Sequence, residues 1–337
     1  MAVTKPVKRI AAVDIEPSLV RVFLDFVADR YDFQFTTDRN APYVFHSCFG
    51  HDVYKYSGVR VFITGENVSP HFGISDYAMG FEKMQFGDRY IRLPLIKLYR
   101  DSYPVFTRSR PSPEDIIHQK KGFCAYVMSN TTDSAPERTR IFDLLSAYKT
   151  VSSGGGWRNN VGGKVRDKMA FQSAYKFVIA FENTSYPGYL TEKFAHAAAS
   201  NAVPIYWGEP DIGNIFNPKA FINCHDFSSL EEAVAYVKEV DQSDDLYRRM
   251  LSEPWFPNGI EPEWLRDATY ADFLANIFDQ EHESAYRRDR GRMGIKEEKK
   301  LRRAFYHPEL QMLKNFQSFF SRVKKRASRN KSEPCKG

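Results

Sequence analysis

Short apolar runs and segments of helical periodicity alternate along the first hundred residues. Residues 8–15 (KRIAAVDI) predict a buried strand, and residues 18–30 carry apolar side chains at the spacing of one helix face. Further strands are predicted at residues 43–46, 59–64, 76–81 and 89–93. Alternation of strand and helix predicts a parallel α/β sheet.

A second pattern of the same kind follows the stretch SRPSP at residues 109–113, whose prolines and serines are typical of a linker. Its predicted strands are 123–128, 175–181, 203–207 and 221–224, and its predicted helices are 137–147, 191–200 and 230–240. We therefore predict two Rossmann-like domains that face each other across a cleft, over residues 1–115 and 116–285. Residues 286–337 are predicted to form a basic helical tail.

The charge of the chain is concentrated in this tail. Residues 286–337 carry 17 Lys and Arg against 5 Asp and Glu, a net charge of +12, whereas the whole chain has +6. The remainder is therefore at −6, which is not typical of a nucleic-acid-binding core. Within the tail, an amphipathic helix is predicted from the spacing of Leu310, Leu313, Phe316, Phe320 and Val323. Such a helix either lies on an anionic membrane surface or packs on the body with its basic end in solvent.

Cellular location is suggested by the N-terminus and the cysteines. Residues 1–17 are polar, and no apolar run elsewhere approaches the ~18 residues that a spanning helix needs. Cys48, Cys124, Cys224 and Cys335 are scattered, which argues against a structural zinc site and a disulfide framework. We expect a cytoplasmic protein. The alternative is a protein that is held peripherally at the inner face of the membrane by its tail.

The unit at residues 175–208 is the first candidate for chemistry. Its strand leads through a polar loop into a helix that opens near Thr191, and ligands bind beyond the carboxyl ends of such strands. A helix N-terminus there attracts a phosphate. Lys193 lies in the first turn, where its positive charge opposes the helix dipole and costs ~0.3–1 kcal/mol. An anionic ligand would turn this unfavourable interaction into a favourable one. The alternative is that Lys193 pairs with Glu192 or points into water.

Two loops supply further candidates. GGGWRNNVGGK at residues 154–164 contains Arg158, whose planar fork suits a diphosphate, although most glycine-rich stretches are flexible surface loops. It matches neither a P-loop nor G-x-G-x-x-G. TGENVSP at residues 64–70 puts Glu66 at the carboxyl end of a strand, either as a general base or as a solvated turn residue. His71 and Asp76 are weaker candidates for contact with the acceptor, the molecule whose hydroxyl such a base would deprotonate.

No D-x-D triplet occurs in the chain. Such carboxylates commonly hold the divalent ion of nucleotide-sugar transferases, so we expect no metal or other cofactor here. Lys and Arg side chains would instead neutralise a departing diphosphate.

The order and spacing of these motifs resemble the α-1,3/4-fucosyltransferases, glycosyltransferase family 10. The resemblance is carried by FENTSYPGYLTEK at residues 181–193 and by ASNAVPIYWG at residues 199–208. It is supported by TGENVSP, DYAMGFE, GGGWRN and PKAFINCHDF, which resemble bacterial members, and it extends from about residue 10 to about residue 256. It implies a GT-B-type fold in which the N-terminal domain takes the acceptor and the C-terminal domain takes GDP-fucose.

The resemblance also implies roles for single residues. Glu66 corresponds to the general base of an inverting transfer, and Glu192 to a carboxylate that stabilises charge on the fucose. Arg158 and Lys193 correspond to the diphosphate-binding pair. The implied contacts to the donor are made by Asn183, Tyr189 and Glu192, and Glu182 is either part of the site or structural.

The acceptor that the resemblance implies is a glycan, with O3 of N-acetylglucosamine in a lactosamine-type unit as the expected position, as in Lewis antigen synthesis. Two rival functions remain open from the residues. One is a GT-B glycosyltransferase that uses another nucleotide sugar. The other is a non-catalytic nucleic-acid- or glycan-binding protein driven by the basic tail, against which the acidic body argues.

Overall fold

The first sheet is entirely parallel and contains the N-terminal strands. The computed structural model describes residues 4–129, 134–288 and 290–306. Within these residues the sheet has the order β2-β1-β3-β4-β5-β6. Its strands are β1 (Val7–Val13), β2 (Asp32–Phe35), β3 (Tyr43–His46), β4 (Val59–Ile63), β5 (Tyr77–Gly80) and β6 (Tyr90–Arg92). Every residue of β3, β4 and β5 is buried, as expected for strands covered on both faces.

The second sheet is also parallel and has the order β11-β10-β9-β7-β8 within the described part of the chain. Its strands are β7 (Gly122–Tyr126), β8 (Val151–Ser153), β9 (Tyr175–Phe181), β10 (Val203–Trp207) and β11 (Ile222–Asn223). The central strand β9 is buried from Phe177 onwards, and its carboxyl end leads directly to Glu182 and Asn183. The two parallel sheets confirm the predicted α/β fold class.

Helices cover both sheets. They are α1 (Pro17–Leu24), α2 (Pro113–His118), α3 (Glu137–Ser146), α4 (Lys168–Ser173), α5 (Glu192–Ala199), α6 (Leu230–Gln242), α7 (Asp244–Ser252), α8 (Asp267–Asp279), α9 (His282–Ala285) and α10 (Arg292–Tyr306). Although α8 follows the second sheet in sequence, Tyr270, Leu274 and Phe278 pack into the core of the first. The predicted domain boundaries at residues 115 and 285 stay a prediction.

Buried ion pairs join the two sheets beside the cleft. Glu209, which follows β10, is fully buried. It pairs with Lys83 at 3.0 Å and with Arg92 at 3.6 Å, both from the N-terminal half. It also accepts a hydrogen bond from the backbone N–H of Gly188. The cleft is therefore closed on one side by contacts that require both halves of the chain.

The C-terminal region is only partly described. Helix α10 packs on the first sheet through Leu301, Phe305 and Tyr306, whereas the predicted amphipathic helix at residues 310–323 lies outside the described residues. Among the residues that are described, no helix combines the length and the apolar character needed to cross a membrane.

Candidate active site

A cavity of about 1,100 Å³ opens between the carboxyl ends of the two sheets. The first sheet contributes Thr64 and Glu66 after β4, and the second contributes Asn183 after β9. The start of α5 adds a third group of lining residues, Thr191, Glu192 and Lys193, and Tyr189 precedes them. The strand ends of parallel sheets collect ligand-binding residues in this way. The cavity thus brings together five predicted site residues: Glu66, Asn183, Tyr189, Glu192 and Lys193.

Lys193 is held in the cavity by buried acceptors. Its Nζ lies 3.0 Å from Glu182 Oε2, 3.1 Å from Thr191 Oγ1 and 3.4 Å from Glu192 Oε1. Glu182 is fully buried and also accepts the backbone N–H of Thr191 at 2.8 Å and its hydroxyl at 2.6 Å. Burial opposes the charged form of Lys193, but Glu182 and Glu192 outweigh it and raise its pKa. Lys193 is thus a fixed cation, and Glu182 positions it.

Glu192 remains ionised although three quarters of its side chain is shielded from solvent, with 24% exposed. Burial acts to raise the pKa of Glu192, but the cations Lys193 and Lys168 outweigh it and lower the pKa to about 2. Burial likewise raises the pKa of the Tyr99 hydroxyl, which is hydrogen-bonded to Glu192. The cavity therefore contains a permanent carboxylate beside a permanent ammonium.

Arg138 is a cation of this site that the sequence patterns did not reveal. It lies in α3, is only 5% exposed, and donates from Nη1 to Asn183 Oδ1 at 3.0 Å and to Ser134 Oγ at 2.7 Å. Its Nε is buried and has no hydrogen-bond partner among the described residues. Lys168 is a second addition, since its charge acts on both Glu192 and Lys193.

Glu66 and Tyr189 lie on the two sides of the cavity. Glu66 is exposed in the turn after β4, where its N–H donates to Thr64 Oγ1 at 3.0 Å and its carbonyl accepts from Val68 at 2.8 Å. Tyr189 is 4% exposed and packs edge-on against Phe81. Burial, and then Glu182, raise the pKa of Tyr189 to about 12, and Glu66 acts in the same direction. The turn geometry holds the backbone of Glu66 at the cavity lining.

Arg158 lies apart from this group. It has a positive φ of 43° in the loop after β8, pairs with Asp143, and stacks on Trp157 with its guanidinium 4.6 Å from the ring centroid. It does not line the cavity. Arg138 does not line the cavity either, but it contacts Asn183, which does. The predicted donor contact of Arg158 stays a prediction.

The two weaker acceptor candidates also lie outside the cavity lining. His71 is exposed in the loop after Glu66, and its carbonyl accepts from Ile74 at 2.9 Å. Asp76 has no exposed surface: its carboxylate accepts from the N–H of Arg60 at 2.7 Å and pairs with Arg288. These partners give the Asp76 carboxylate a structural position away from the cavity, and the acceptor roles of His71 and Asp76 stay predictions.

Metal-binding chemistry has no visible site in the described ranges, where no three His, Cys, Asp or Glu side chains cluster as metal ligands would. Lys193 and Arg100 are the lysine and arginine that line the cavity. Arg138 and Lys168 lie behind the lining, where they act on Asn183 and Glu192.

Comparison with known proteins links the chain to fucosyltransferases. Residues 117–255 match the family model for the C-terminal region of glycosyltransferase family 10 (fucosyltransferase), and residues 13–99 match that for the alpha-(1,3)-fucosyltransferase FucT N-terminal domain. The alpha-(1,3)-fucosyltransferase FucT of Helicobacter pylori is 38% identical over 224 residues, 58% of this chain and 46% of that protein. A putative fucosyltransferase of Acanthamoeba polyphaga mimivirus is 30% identical over 69% of this chain and 40% of its own length. The chain thus spans less than half the length of these curated relatives.

Solved structures extend the similarity to the fold. A crystal structure of an alpha1,3-fucosyltransferase with GDP-fucose has 30% identity and a TM-score of 0.72, and the match covers 86% of this chain and 95% of that one. A crystal structure of alpha1,3-fucosyltransferase without a named ligand gives a TM-score of 0.74. The GT-B-type fold that the resemblance implied is therefore confirmed.

Proposed function

This chain belongs to glycosyltransferase family 10, the fucosyltransferases, and we propose that it transfers L-fucose from GDP-fucose to a hydroxyl of an acceptor glycan. The observation that carries the proposal is the cavity in which Glu66 of one sheet faces Lys193 and Glu192 of the other. The expected acceptor position is O3 of an N-acetylglucosamine in a lactosamine-type unit.

The donor side is formed by the C-terminal half. Its elements are the first turn of α5, whose N-cap Thr191 forms no side-chain capping bond, Lys193 in that turn, and Arg138 beside Asn183. Negative charge develops on the GDP diphosphate as the bond between fucose C1 and the phosphate oxygen breaks. Cations that are already fixed in a shielded site stabilise this charge without reorganisation. The contacts of Arg158, Asn183 and Tyr189 with GDP-fucose are part of the same proposal.

The acceptor side is formed by Glu66. The acceptor oxygen attacks fucose C1 from the face opposite the leaving GDP, and Glu66 takes the proton of the acceptor hydroxyl as the new bond forms. The configuration at C1 is inverted in this single displacement. The ionised Glu192 stabilises the positive charge that develops on the fucose ring.

Glu66→Ala tests the base. We expect transfer to fall by about 10²–10⁴-fold, while the rise in unfolding temperature that GDP causes stays at the wild-type value. Glu239→Ala, which removes an exposed carboxylate of α6 outside the cavity, is the matched control and should retain most of the turnover. Near-normal transfer by Glu66→Ala would exclude Glu66 as the base.

A glycosyltransferase for another nucleotide sugar is the rival that the donor side must exclude. A thermal-shift comparison separates the two, because GDP should raise the unfolding temperature at concentrations where UDP does not. An equal or larger effect of UDP would contradict the choice of donor.

We also propose that the C-terminal region makes peripheral contact with an anionic membrane. A groove of about 490 Å³ between α10 and the first domain is lined by Arg39, Lys55, Lys299, Arg302 and Arg303, which supports this proposal together with the basic tail. Co-sedimentation with phosphatidylglycerol vesicles, compared with a protein that ends at residue 309, tests the tail. Equal binding by both proteins would refute its part in the contact.

A further inference from the structure

Phe49 stands at the opening of the candidate active site with most of its surface in solvent. It is 70% exposed, the highest value among the large apolar side chains in the described part of the chain. Leu19 of α1 is 55% exposed and lines the same cavity. Scattered surface hydrophobes are normal, but two of them beside one cavity form a patch that suits a ligand.

The loop that carries Phe49 is fastened to the end of β1. Ser47 Oγ donates to the carbonyl of Asp14, the N–H of Phe49 donates to Ser47 Oγ at 3.3 Å, and the N–H of Asp52 donates to Asp14 Oδ2 at 2.9 Å. Gly50 lies so close to the Asp14 carboxylate that a Cβ at Gly50 would overlap with it. The exposed ring is thus presented by a well-anchored loop.

Asp14 itself adopts a conformation that has a cost. Its φ of 58° is unusual for a residue with a Cβ, and such strained positions persist only where the surrounding structure requires them. The bonds from the loop to Asp14 supply that requirement. Asp14 is therefore a positioning residue for Phe49, and a fixed ring loses less conformational entropy when a ligand binds.

We propose that Phe49 is a stacking platform for a pyranose ring of the acceptor. This inference rests on the proposed function and extends it to the surface of the acceptor that is recognised. Phe49 shares one cavity with Glu66, whereas Lys193 lies on the wall formed by the C-terminal half. A pyranose has an apolar C–H face for the ring and a rim of hydroxyls for polar neighbours, of which Glu16 and Asp101 line the same cavity.

The composition of this wall favours a sugar face that is partly apolar. Beside Phe49 it contains Leu19, Val22 and Phe23 of α1, and pockets for small molecules combine such apolar lining with a few polar groups. A flat aromatic ring contributes through stacking, which an alkyl side chain of similar volume does not reproduce. That difference separates a sugar face from an alkyl aglycone as the occupant.

Steady-state kinetics of four variants test the proposal, with N-acetyllactosamine as acceptor probe and GDP release as readout. Phe49→Ala should raise the acceptor KM about tenfold and Phe49→Leu about fivefold, whereas Phe49→Trp should stay within about twofold of wild type. The KM for GDP-fucose should not change in any of them. Ile260→Ala removes a side chain that is 63% exposed outside the cavity and should match wild type.

Several results would overturn the proposal. An unchanged acceptor KM in Phe49→Ala would exclude the contact, and wild-type behaviour of Phe49→Leu would point to an alkyl group instead of a sugar face. Equal increases in both KM values would show that Phe49 only maintains the cleft. Wild-type protein that releases no GDP with the acceptor would overturn the proposed function, and the inference with it.

Discussion

The ion pair between Lys193 and Glu182 gives the candidate site both its charge and part of its stability. Lys193→Met removes the cation and leaves the fully buried Glu182 carboxylate with only the two hydrogen bonds from Thr191. Glu182→Gln in the same chain then removes the unpaired charge while keeping the shape. The single and double variants therefore separate the structural role of Lys193 from its role toward the donor.

The magnitude follows from the burial of the two partners. Removal of one partner from a buried ion pair costs about 3–5 kcal/mol because a buried charge is left uncompensated. Lys193 is 18% exposed and Thr191 still donates twice to Glu182, so we expect a loss at or just below the lower limit of this range, about 2–3 kcal/mol. For a cooperative unit of 150–250 residues this lowers the unfolding temperature by roughly 5–10 °C. Glu182→Gln should restore about half of the loss or more.

Thermal unfolding with and without GDP is the assay. At 100 times its dissociation constant, GDP should stabilise the wild type by about 2.7 kcal/mol. The double variant should recover stability but not this GDP-dependent increase, because the cation is still missing. Lys300→Met removes an exposed partner of Glu297 and should stay within about 0.5 kcal/mol of wild type. A double variant no more stable than Lys193→Met would refute the coupling, and one that recovers the GDP effect would refute the donor role of Lys193.

Three further predictions concern other side chains of the structure. The pKa of Glu192 is lowered from 4.5 to about 2. Its ionisation therefore stabilises the fold fully above about pH 4.5, and this stabilisation is lost as the pH falls toward 2. The difference in urea midpoint between wild type and Glu192→Gln should accordingly be smaller at pH 3 than at pH 6. Arg138→Ala should weaken GDP binding in titration calorimetry more than Arg158→Ala, and the reverse order would restore Arg158 as the main partner of Lys193. Asp76→Asn should lower the unfolding temperature through loss of the Arg288 pair and leave the acceptor KM unchanged; a raised KM would favour an acceptor role.

Strands were predictable where burial is nearly complete. The predicted strands at residues 43–46, 175–181 and 203–207 coincide with β3, β9 and β10, because apolar runs between polar turns leave few alternatives. Strand β2 (Asp32–Phe35) was not predicted, since it is short, lies at the sheet edge and alternates between exposed and half-buried residues. The helix predicted at residues 18–30 ends at Leu24 and continues as a 3-10 turn over Asp25–Val27.

Site residues were predictable where they directly follow a strand. Glu66 lies three residues after the end of β4 and Asn183 two residues after the end of β9, and parallel topology collects ligand-binding residues at such strand ends. Arg138 carries no such signal, because it lies inside a helix and reaches Asn183 across 45 positions of the chain. The ion pair of Asp76 could not be predicted from the sequence either, since its partner Arg288 is 212 positions away.

The cleft depends on these distant partners as much as on the sheets. Glu209 is fully buried, and its ion-pair partners Lys83 and Arg92 come from the other half of the chain. Glu209 also binds the N–H of Gly188, the residue before Tyr189. A single buried carboxylate thus fixes both the spacing of the two halves and the loop that leads to Lys193. The proposed transfer brings a base on one half to a donor held by the other, so it depends on this spacing.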